Sequence, residues 1–151
     1  MLNEDIVDTL NDLIETSTDG ELGFENCAKY VESPELRNLF IARAQECRRA
    51  ADELKALVLQ YGGQPDTGGT ATGALHRGWV NIRGTLAGQS DPAMLDECER
   101  GEDAAKARYR AAMEKGLPEP LRAIVLRQME GVLRHHDQIR ALRTRYADAD
   151  A

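Results

Sequence analysis

Residues 63–90 read GQPDTGGTATGALHRGWVNIRGTLAGQS. Gln64-Pro65-Asp66-Thr67-Gly68-Gly69 is turn chemistry. Beyond it, Leu75, Trp79, Ile82 and Leu86 recur at helical spacing, which predicts a short helix over about 70–87 despite three internal glycines. The stretch lies between two pairs of long helical patterns. Helices joined by a few residues must double back on each other, whereas a link this long lets the next helix start at the far end. Reading 63–90 as a crossover therefore decides against a simple up-down-up-down bundle and for two hairpins joined by one long connection.

On the N-terminal side, residues 34–61 carry Leu36, Leu39, Phe40, Cys47, Ala50, Leu54, Leu57 and Tyr61 as an apolar stripe. Ser33-Pro34 supplies a cap followed by proline in the first turn, and Gly62-Gly63 is a stop signal. Before that, residues 3–31 place Ile6, Leu10, Leu13, Ile14, Phe24, Ala28 and Val31 at steps of three and four over most of their length, with Asn3 as the expected N-cap. Gly20 and Gly23 interrupt this pattern, so either the helix is locally weak or a neighbour approaches closely there. On the C-terminal side, Ser90-Asp91-Pro92 opens a helix over 91–115 with Leu95, Cys98, Ala105, Tyr109 and Ala112 on its apolar face and Glu102 inside that face. Gly116 stops it. A Leu117-Pro118-Glu119-Pro120 turn leads into the last helix, 118–146, with Leu121, Ile124, Val125, Met129, Val132, Ile139 and Leu142.

Composition agrees. Of 151 residues, 42% are hydrophobic, 30% charged and only 5% aromatic, with Leu, Ala, Arg and Glu prominent, which suits one all-α domain over 1–151. The formal charge of -7 argues against a nucleic-acid-binding domain. No apolar run approaches the ~20 residues that span a bilayer, so no membrane is expected. The acidic start MLNEDIVDTL reads as neither a signal nor a transit peptide. The three cysteines, Cys27, Cys47 and Cys98, form no close pair in sequence and predict a reducing, cytoplasmic setting. Nine acids and one Lys fall in residues 3–32, against six arginines and three acids in residues 118–146, which reads as complementary helix faces.

Two antiparallel hairpins with one long crossover between the second and third helices is the ferritin-like connectivity. The stretches Leu36–Leu57 and Leu121–Leu142 have equal length, and Gly20-Glu21 echoes Gly101-Glu102, as expected of two related hairpins. Di-metal sites in such bundles take a Glu from each of two helices and a Glu-x-x-His pair from each of the others. Glu21, Glu46, Glu102 and His135 are the candidate ligands here, with His136 and Glu130 as substitutes, and hard carboxylates with imidazole suit iron or manganese. The set departs from the full pattern. Glu46 is followed three residues on by Arg49 and Glu130 by Leu133, and the second helix has no histidine. Half-buried acids paired with arginines, and a hydrogen-bonded core histidine, explain the same residues without a metal. His76, Arg77 and Trp79 on the crossover form a second candidate, a site for a ligand or protein partner. No nucleophile elbow, phosphate loop or dinucleotide fingerprint is present in the sequence.

Asp-Gly-Glu at 19–21, Ser-Pro-Glu-Leu at 33–36, Gly-Ala-Leu-His-Arg-Gly-Trp-Val-Asn at 73–81, Glu-Cys-Glu-Arg-Gly-Glu-Asp at 97–103 and His-His-Asp-x-Ile-Arg at 135–140 together resemble a bacterial family of small ferritin-like four-helix-bundle proteins of unknown function. The resemblance runs over about residues 4 to 146 and implies the fold. Ferritin-like relatives store or oxidise iron, and some are linked to stress. Three functions follow as expectations. The first is a non-enzymatic structural or stress-associated bundle that self-associates as a dimer or larger homo-oligomer. The second is a divergent iron- or manganese-binding protein. The third is an adaptor that holds a protein partner through the crossover or the basic face of the last helix.

Overall fold

The computed structural model describes residues 1–66, Trp79 and residues 90–150, with side chains as far as Ala147. The expected crossover helix, and His76 and Arg77 with it, lie outside the described residues. The described residues form four helices: α1 (Asn3–Tyr30), α2 (Pro34–Gln60), α3 (Asp91–Met113) and α4 (Leu121–Asp150). α3 stops two residues short of the expected end, and α4 starts three residues late because Pro118 and Pro120 precede it. α4 also runs on past Tyr146 to Asp150. The protein is an all-α, ferritin-like four-helix bundle. No helix among the described residues is long and apolar enough to cross a membrane.

Local chemistry sets the ends. Ser33 Oγ accepts the Leu36 N–H at 3.3 Å, and Ser90 Oγ accepts that of Ala93 at 3.2 Å. α1 differs from expectation: Asn3 is already helical, and the flanking residue is Leu2, which makes no side-chain cap. Gly62, at φ +78°, turns the chain out of α2, and the Gly63 N–H donates to the Val58 carbonyl at 3.0 Å. The carboxylate of Asp91, at the start of α3, accepts the N–H groups of Glu32 (2.9 Å) and Ser33 (3.0 Å). One acid thus ties the α1–α2 turn to the second hairpin.

α1 packs along α2, α3 along α4, and α1 also along α3. The core divides in two. One end of the bundle holds Phe24, Val31, Leu36, Phe40, Met94, Leu95 and Ile139. The other holds Ile6, Leu10, Leu13, Leu54, Val58, Leu121 and Val125. Between them lies a waist of buried polar side chains, among them Ser17, Arg43, Glu102 and Gln128.

Trp79 closes the waist on the side of the first core cluster. It is 4% exposed and meets Phe24 edge-on, with ring centroids 5.2 Å apart. Gly23 on α1 and Gly101 on α3 make room for it, because a Cβ at either position would overlap the indole. The interrupting glycine at 23 is therefore explained by close approach rather than by a weak helix. Gly20 has a similar role, since a Cβ there would come within 2.8 Å of Cys47 Sγ. Cys27 and Cys98 are buried free thiols, Cys98 donating to Cys27 Sγ at 3.6 Å.

Candidate functional site

A polar chain through the waist touches all four helices. Tyr109 on α3 donates to Gln128 Oε1 on α4 at 2.8 Å, and its hydroxyl is 3.4 Å from Ser17 Oγ on α1. Gln128 in turn donates to Glu53 Oε1 on α2 at 2.8 Å. Burial pushes the Tyr109 phenol well above its ordinary range, so it stays a donor.

Beside this chain is a cavity of about 380 Å³, lined by Arg43, Glu46, Glu102 and His135 among others. Arg43 Nη2 bonds to Glu46 Oε1. His135 Nε2 lies 3.0 Å from Glu46 Oε2. Burial, and then the charge of Arg43, pull the His135 imidazole down to about 4, so at neutral pH it is an uncharged donor to Glu46 rather than half of an ion pair. Burial drives the Glu102 carboxyl the other way, up to about 8; Arg43 opposes this, while Glu46 and Asp103 add to it. Glu102 therefore carries a proton at neutral pH.

A second cluster faces away from the cavity, between α3 and α4. Glu99, Asp103 and His136 each present a ligand-type atom, and these atoms all lie within 4.8 Å of one another. Glu99 and Asp103 are four residues apart on α3 and share a face. His136 is 4% exposed, with Nε2 at 2.5 Å from Asp103 Oδ1 and Nδ1 at 3.5 Å from Asp137 Oδ1. Asp137, largely exposed, thus stands behind Nδ1 at the outer limit of a hydrogen bond, on the side from which carboxylates orient metal-binding histidines. Glu99 Oε2 is buried without a hydrogen bond, although Arg143 Nε stands 2.9 Å away. Two carboxylates and an imidazole suit iron or manganese; a metal would replace the His136–Asp103 hydrogen bond, those two atoms moving apart to admit it.

The sequence candidates are distributed as follows. Glu46, Glu102 and His135 line the cavity; Glu21 does not. Glu21 lies one step round the helix from inward-facing Gly20, beside Arg48, Asp52 and Lys55, and burial followed by Glu25 raises its carboxyl. Glu130 is exposed. His136 joins the second cluster. Trp79 faces the bundle interior, where it lines the cavity and not the outer surface. On α4, Arg127 pairs with Glu53, Arg143 with Glu99 and Arg145 with Glu35, so half of that helix's arginines tie it to α2 and α3. The sequence reading missed Arg43, Glu99 and Asp103. Arg43 fills the gap between Phe40 and Cys47 in the α2 stripe, and the spacing of Glu99 and Asp103 on α3 was a second available signal.

Two helical hairpins, one crossover and a waist of acids and histidines define a ferritin-like bundle. The chain belongs to the family described as Domain of unknown function (DUF2383), whose model matches residues 5–115. Its fold is similar to that of Dps from Staphylococcus aureus (22% identity, TM-score 0.78, covering 93% of this chain and 96% of that one). It is also similar to the bacterioferritin-related protein of Bacteroides fragilis, described as a dodecameric thioferritin (15%, 0.82, 99% and 90%). A third similar structure is a ferritin-like, diiron-carboxylate protein from Bacillus anthracis str. Ames (16%, 0.73, 93% and 96%). At these identities the likeness establishes the fold. No match was found among curated proteins.

Proposed function

We propose that this protein is a divergent metal-binding ferritin-like bundle, holding iron or manganese on Glu99 and Asp103 of α3 and His136 of α4. The observation that carries this reading is the convergence of the three donor atoms within 4.8 Å around a buried imidazole. The diiron-carboxylate description of the Bacillus anthracis neighbour supports it. Bound there, iron would supply one-electron redox chemistry and manganese a Lewis acid. His136 would bind through Nε2, with Asp137 behind Nδ1 fixing the tautomer. Arg143 would have to swing off Glu99, as its 41% exposed side chain allows. Self-association belongs to the same reading, and the dodecameric description of the Bacteroides fragilis neighbour supports it.

The test is elemental analysis of untagged protein from medium supplemented with iron and manganese. About one metal per chain is expected, lost in His136→Ala and Asp103→Asn and kept in His135→Ala. Loss in His135→Ala and Glu46→Gln instead would move the site into the cavity, onto the ligands first read from the sequence. A folded, helical, metal-free protein would overturn the proposal and leave the non-enzymatic scaffold.

A further inference from the structure

The cation cluster does not account for the waist cavity, which Glu99, Asp103 and His136 do not line. At about 380 Å³ the cavity falls within the range of pockets that enclose small organic ligands. Arg43, only 6% exposed, forms part of its wall. Nη2 of Arg43 is bonded to Glu46, but Nε and Nη1 are buried with no hydrogen-bond partner among the described residues. A buried guanidinium holding two idle donors is costly unless an acceptor reaches it. The lining carries four arginines against three glutamates, which favours an anion over a cation. Phe24, Trp79 and Val132 give the same cavity apolar walls, which favour a ring or branched body over a sugar.

We propose that the cavity binds a small aromatic carboxylate, with its oxygens on Arg43 and its ring against Trp79. The carboxylate supplies acceptors to the two donors that have no partner among the described residues. A guanidinium is the side chain best shaped to receive it. The site uses none of the proposed cation ligands, so it stands whether or not a metal is bound.

Benzoate is the probe, benzamide its uncharged isostere, and Trp79, the only tryptophan in the chain, the reporter. Benzoate should change Trp79 emission saturably and bind at least about tenfold more tightly than benzamide, the scale of one charge-assisted hydrogen bond. Arg43→Gln should remove that preference. Because losing a buried charge can also unfold the protein, Gly131→Leu is the second variant. Gly131 lines the cavity, and a Cβ there meets nothing closer than Arg134 Nη2 at 3.8 Å and His135 Cε1 at 3.9 Å. Leucine favours the helix and fills the space, so this variant should stay folded and lose the benzoate response. A flat wild-type titration to millimolar benzoate, equal binding of benzamide, or an undiminished response in Gly131→Leu would each overturn the proposal.

Discussion

His135 and His136 are neighbours in the chain, yet they serve separate polar groups. His135 Nε2 is 3.0 Å from Glu46 Oε2, whereas His136 Nε2 is 2.5 Å from Asp103 Oδ1. One residue of helix is a turn of about 100°, which carries the first imidazole to α2 and the second to α3. The waist therefore has two faces with different chemistry. The face towards the cavity is dominated by an arginine, and the face between α3 and α4 by two carboxylates.

Arg143 competes with any cation for Glu99, since its Nε lies 2.9 Å from Glu99 Oε2. Its ion pair is partly exposed, so its removal should tighten cation binding by a modest factor, about two- to five-fold. Titration of Mn²⁺ into the metal-free Arg143→Ala protein checks this. Unchanged or weaker binding would mean that Glu99 is not a ligand.

The Glu102 carboxyl, held up to about 8 by burial from an ordinary 4.5, gives the metal-free protein a pH signature. Between those values the native state keeps a proton that the unfolded chain has lost, so stability falls as pH rises. His135, pulled down from 6.5 to about 4 by burial, acts in the opposite direction: stability rises between pH 4 and 6.5 and is flat above. The two effects offset each other up to about 6.5, and Glu102 acts alone from there to about 8. The slope there should approach about 1.4 kcal/mol per pH unit. Urea unfolding of EDTA-treated protein should show the decline in wild type and a flatter profile in Glu102→Gln. Parallel profiles would mean that Glu102 is ionised at neutral pH.

Glycine-to-alanine changes should have opposite signs at two helical positions. At Gly131 the new methyl has room, so Gly131→Ala should gain up to about 1 kcal/mol from helix propensity. At Gly101 the methyl collides with the Trp79 indole, so Gly101→Ala should lose about 1–3 kcal/mol despite the same propensity gain. Thermal melts of the pair decide the matter. A stabilised Gly101→Ala would mean that Trp79 does not sit against it.

Asp91 joins the two hairpins through the N–H groups of Glu32 and Ser33. Asp91→Ala should cost about 1 kcal/mol, as losing a cap does. Hydrogen exchange should speed up at those two amides, while the core of α3 keeps its protection. Unchanged exchange at Glu32 and Ser33 would exclude the tie.

The four long helices are legible in the sequence because apolar steps of three and four, Ser-Pro starts and glycine stops coincide at Ser33-Pro34, Ser90, Gly62 and Gly116. The long link between the second and third helices carries the connectivity. Side-chain direction is less legible. Glu21 and Glu102 both follow a buried glycine, yet only Glu102 is itself buried. Consecutive histidines on a helix must diverge, but which partner each meets depends on helix rotation, which periodicity fixes only to within a residue or so. Arg43 was hidden for a different reason. A charge in an apolar stripe reads as a gap, whereas here it is the buried centre of a polar layer.

The seat of Trp79 is built from one glycine of each hairpin, Gly23 and Gly101. Neither half of the molecule owns the complete seat. A chain cut on either side of the indole would yield one fragment with an unfilled notch and another with a tryptophan still lacking half its walls. Two such pieces, mixed, should recover helical order only together, as a lock with its key broken off inside. Trp79 thus acts as a keystone, and a chain without it would lack the side chain that makes two hairpins one cooperative body.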